Sequence, residues 1–83
     1  MVIIMNAKKE NGYFSCEGMS DKKSAFVFMS KEGRISICTM NASAKRNGYL
    51  GGRTFRNTEE AIAAYKSADV KNIIKEAARL SCI

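Results

Sequence analysis

The chain has 83 residues, 46% of them apolar and 27% charged, with a formal net charge of +6. That is room for a single domain over residues 1–83 with one modest core. The absence of histidine removes the commonest general base and metal ligand, and no run approaches the roughly 18 apolar residues of a membrane span.

Residues 2–7 (VIIMNA) form a short apolar run rich in β-branched side chains, the expected first strand. The run is too short for a signal-peptide core and follows no basic segment, so a soluble, cytoplasmic protein without membrane contact is expected. Residues 8–12 (KKENG) end in Asn-Gly, a strong turn pair because both residues tolerate positive φ. Residues 13–18, 25–30 and 34–40 read as strands two to four. Lys31-Glu32-Gly33 suits a three-residue hairpin with Gly33 in the left-handed region. That register sets Met29 beside Ile35 and Val27 beside Ile37 on one face. It sets Phe28 beside Ser36 and Phe26 beside Cys38 on the other. Both faces are partly apolar, so the face with Phe26 and Phe28 needs a cover of its own: the chain's first strands, a partner or a second copy.

Residues 49–65 (YLGGRTFRNTEEAIAAY) hold the clearest local signals. Tyr49, Leu50, Thr54 and Phe55 are strand formers around Gly51-Gly52. Leu50 and Phe55 have opposite parity, and a one-residue bulge at the glycines would return them to one face. Asn57 then offers an N-cap, with Glu60 at the third helical position as in a capping box. Downstream, Ala61, Ile62 and Tyr65 centre on one helical direction. Val70, Ile73, Ile74 and Ala77 centre about 120° away at 100° per residue. The jump near Ser67-Ala68-Asp69, where Ser67 or Asp69 could cap, predicts two helices at about 58–67 and 69–81, with one kinked helix as the alternative. The predicted architecture is α+β: an antiparallel meander of about five strands, then two C-terminal helices packed on one face. The helix pair is expected to bury Ile62, Tyr65, Val70, Ile73, Ile74 and Ala77.

No catalytic constellation accompanies this plan. Glu59-Glu60 point about 100° apart on a helix and belong to the cap, and the serines lack a base partner. Gly51-Gly52 is separated from the helix by a strand, unlike a phosphate-binding loop. Cys16, Cys38 and Cys82 are odd in number without a paired spacing, which predicts reduced thiols and no zinc site. A non-catalytic protein with no cofactor and no metal is expected.

Charge is uneven. Residues 42–58 carry Lys45, Arg46, Arg53 and Arg56 with no carboxylate. Together with Arg34 and Tyr49 they make a candidate surface for a nucleic acid or an acidic partner. Lys71, Lys75 and Arg79 form a second basic stripe at i, i+4, i+8, equally readable as a solvated helix face. Phe26 and Phe28 are the candidate apolar partner face, which motivates a possible homodimer.

GRISICTM followed by YLGGRTFRNTEEAIAAYKSA resembles the end of an AP2-type domain and the arm-site-binding domains of tyrosine-type phage integrases. Leu50, Gly51, Phe55, Thr58, Glu59, Glu60, Ala61, Ala64 and Tyr65 stand at matching places, within residues 25–68. The resemblance implies a three-stranded sheet entering the major groove of DNA, with Arg34, Lys45, Arg46 and Arg53 as its readers. The preceding strands carry Phe, Ile and Val where groove-facing basic residues would stand. In size and style the chain also looks like small accessory proteins of phages and other mobile elements, some of which inhibit host nucleases. The sequence therefore ranks a protein-binding accessory or inhibitor, acting on a host protein or nucleoprotein complex, slightly ahead of a DNA- or RNA-binding module built on the basic hairpin.

Overall fold

The computed structural model describes residues 3–41 and 52–81. Five strands form one antiparallel sheet in the order β1-β2-β3-β4-β5. They are β1 (Ile4–Glu10), β2 (Tyr13–Met19), β3 (Lys23–Met29), β4 (Ile35–Asn41) and β5 (Arg53–Phe55). Two helices follow, α1 (Thr58–Ala64) and α2 (Ala68–Ser81). This is the predicted meander with helices on one face.

Turn chemistry sets the register. Asn11 and Gly12 both take positive φ, 48° and 83°, as a two-residue hairpin matched to strand twist requires. Pairing therefore runs to Glu10 opposite Tyr13. The first strand begins two residues and ends three residues later than its apolar run suggested, because the turn carries the polar Lys8-Lys9-Glu10 into the ladder. Gly33 takes φ 87°, and Met29–Ile35, Val27–Ile37, Phe28–Ser36 and Phe26–Cys38 pair as expected.

Alternation then divides the sheet. One face presents Phe14, Cys16, Gly18, Ala25, Val27, Ile35, Ile37 and Phe55, all buried. Val70, Ile73, Ile74 and Ala77 of α2 and Ala61 of α1 complete this core. Gly18 lets the helix approach closely: a Cβ there would lie 2.5 Å from Cγ2 of Ile73. Ile62 and Tyr65, expected in the core, are only partly buried beside it. Ile62 lies on the short α1 and Tyr65 at its C-terminal cap, beside the three-residue edge strand β5.

The helix ends are specified locally. Asn57 caps α1, its side chain accepting from the Glu60 amide at 2.8 Å. Glu60 Oε1 accepts from the Arg56 amide at 3.5 Å, one residue earlier than a capping box would have it. Tyr65 ends α1 with an extended backbone. The Ser67 hydroxyl accepts from the Val70 amide, so Ser67 rather than Asp69 starts α2. Asp69 instead accepts a 2.6 Å hydrogen bond from Ser20 Oγ, which ties the β2–β3 turn to α2. No described helix is long and apolar enough to cross a membrane.

Candidate functional site

The other face of the sheet is formed by the alternate residues. From the pairings, one row runs Lys8, Ser15, Phe28, Ser36, Thr54 across all five strands. The next runs Asn6, Glu17, Phe26, Cys38. Ile4, Met19, Ser24 and Met40 make a third, and Glu10 and Tyr13 close the turn end. Both helices lie on the opposite side, and no other described element covers this one.

Exposure marks the face out. The large hydrophobics exposed among the described residues are Ile4 at 65%, Tyr13 and Met19 at 44%, and Phe28 at 36%. All four stand on the open face. Leaving such groups in water forgoes about 25 cal/mol per Å² of apolar area, and their collection on one surface is the pattern of an interaction site. The Tyr13 and Phe28 rings stack at 5.7 Å between centroids and 25° between planes. The Lys31 ammonium stands 5.7 Å from the Tyr13 centroid. Tyr13, Lys31, Lys8 and Ser15 were not singled out from sequence. Alternation carried from the β3–β4 hairpin through Asn11-Gly12 was the signal that could have found them.

Of the sequence candidates, Phe28 is exposed and Phe26 half-buried. Arg34 is exposed at the β3–β4 turn, which its carbonyl closes by accepting from the Ser30 amide at 3.0 Å. Lys45, Arg46, Tyr49, Leu50 and Gly51 lie outside the described residues, and so does the expected bulge. Arg53 shares parity with Phe55 and stands on the helix side of the sheet. Its guanidinium lies 5.2 Å from the Phe55 ring centroid and 5.3 Å from that of Tyr65. Burial raises the Tyr65 pKa, an effect that the nearby Arg53 partly offsets. Arg56 is exposed and pairs with Glu60 at 3.5 Å. Of the described hairpin arginines, Arg53 stands on the helix side of the sheet and Arg56 lies beyond the end of β5.

The helical stripe is also divided by its partners. Lys71 donates to the Ile62 carbonyl at 2.8 Å, closing the C-terminus of α1. Arg79 pairs with Glu76 at 2.7 Å, and its hydrogen bond holds the Glu76 carboxyl below the ordinary value. Lys75 is exposed. Neither Cys16 nor Cys38 is in a disulfide; burial pushes the Cys16 pKa up. Among the described residues, no group of three or more His, Cys, Asp or Glu side chains is placed to hold a metal ion.

Comparison with protein-family models, curated proteins and solved structures finds no match to this chain.

Proposed function

We propose that the protein is a non-catalytic binding protein, of accessory or inhibitor type, that engages a host protein or nucleoprotein complex through the open face of its sheet. One observation carries this reading: the exposed Ile4, Tyr13, Met19 and Phe28 all stand on that face. The opposite face is already satisfied by the helices, so among the described residues the unspent apolar surface lies on one side. A second copy of the chain is one occupant the face could accept. Light scattering that shows only a 9.2 kDa species at high micromolar concentration would remove that occupant.

The test is capture from host lysate, with and without nuclease treatment. Wild-type protein should retain its partner, and Phe28→Asp should lose it while keeping its circular dichroism spectrum. Capture that is unchanged in a folded Phe28→Asp would refute the assignment to this face.

A further inference from the structure

At the turn end of the open face, Tyr13 on β2 and Phe28 on β3 offer exposed ring surface beside one another. Lys31 is positioned over Tyr13 by the backbone beneath its stem. A Cβ added to Gly12 would lie 2.6 Å from Cε of Lys31, so the glycine leaves the path that the side chain follows. Beside the rings runs an open groove of about 340 Å³, lined by Lys8, Glu10, Asn11, Tyr13, Ser15 and Phe28. Hydroxyls continue the Phe28 row in both directions, through Ser15 on one side and through Ser36 and Thr54 on the other. Ser36 and Thr54 share a hydrogen bond at 3.3 Å. Arg34 is exposed at the adjoining β3–β4 turn.

We propose that this end of the face binds single-stranded nucleic acid. Bases stack on Phe28 and Tyr13, and phosphates are drawn to Lys8, Lys31 and Arg34. The inference rests on the open face being the working surface and names what lies there. Stacking on a side chain requires the flat side of a base, which an unpaired strand offers and a duplex hides. Every base has such a side, so recognition is tolerant of sequence. Charge complementarity favours this occupant over an apolar protein surface, since the basic Lys8, Lys31 and Arg34 surround the rings at this end. The acidic neighbours at this end are Glu10 and Glu32. Glu10 is held by Lys8 at 3.2 Å with both side chains well exposed, a pair weak enough for a phosphate to share the ammonium.

The experiment is fluorescence anisotropy with labelled oligothymidylate and oligouridylate of about 12 nucleotides, a span suited to a small stacking platform. A duplex of equal length is the comparison. Single strands should bind more tightly than the duplex. Binding should quench tyrosine emission, which no tryptophan obscures here, and Tyr13→Phe should remove most of that quenching. Phe28→Leu keeps an apolar side chain but loses the ring, and should weaken single-strand binding about tenfold. Lys31→Gln should make the salt slope shallower by about 0.7. Equal or tighter binding to the duplex, affinity unchanged in Phe28→Leu, or no binding to any oligonucleotide would overturn the proposal. If nothing binds, a nuclease-resistant protein partner lost in Phe28→Asp assigns the face to protein instead. Capture that survives Phe28→Asp removes the face itself as the working surface.

Discussion

The two faces of the sheet are built from the same strands and differ in nearly every physical respect. The covered face uses small and aliphatic side chains, with a glycine where α2 comes closest. The open face carries rings, hydroxyls and charges, and leaves large apolar groups in water. Neighbouring residues of one strand meet these two environments in turn: Val27 is fully buried and Phe28 exposed. Strand propensity cannot tell such residues apart. What distinguishes them is the presence of a helix on one side, and the contrast places stability on the covered face and leaves the open one as the proposed binding surface.

The sharpest way to break this contrast is to truncate on each side. Ile73→Ala should lower stability by about 2–5 kcal/mol, the usual cost of emptying a buried aliphatic site. Phe28→Ala should cost less, about 1 kcal/mol, since Phe28 is 36% exposed and its ring stacks on Tyr13. Urea denaturation measures both, and equal losses would mean that the open face is part of the core. Overfilling tests the same side differently. Gly18→Val places a side chain where Ile73 already lies and should cost about 1–3 kcal/mol. Asn57→Ala removes the cap of α1 and should cost about 1 kcal/mol, with no effect on partner capture.

The contrast also has a chemical form in the two described thiols. Cys16 is on the covered face, 1% exposed, with its pKa raised by burial. Cys38 belongs to the open face and is only partly buried. Thiolate is the reactive form. In native protein, iodoacetamide should therefore modify Cys38 well before Cys16, and mass spectrometry of timed samples should show that order. Denatured without reductant, the chain should take up label at all three cysteines.

The sequence made much of this division legible through turn signals and alternation. Gly33 fixed one hairpin, and from it came the facing of Phe26 and Phe28. The 120° shift of the apolar stripe separated the two helices. The extent of β1 was harder to see, because an edge strand can carry Lys8, Lys9 and Glu10 without loss. Charged residues there also discourage edge-to-edge association. The basic residues were least legible, since a count of charges does not say which way each points or what it already holds. Arg53 follows Phe55 to the helix side and stands over two rings. Lys71 is spent on the end of α1, and Arg79 on Glu76. The groups that define the candidate site, Tyr13 and Lys31 beside Phe28, come from two separate stretches, β2 and the β3–β4 hairpin. Only the register brings them together.

The most direct test sets the two sides against each other in one capture experiment. Phe28→Asp places a charge on the open face, and Lys75→Asp places one on the outer surface of α2. Both should fold by circular dichroism. The partner should be lost with Phe28→Asp and retained with Lys75→Asp. The reverse result, retention with the first and loss with the second, would contradict the assignment of binding to the open face.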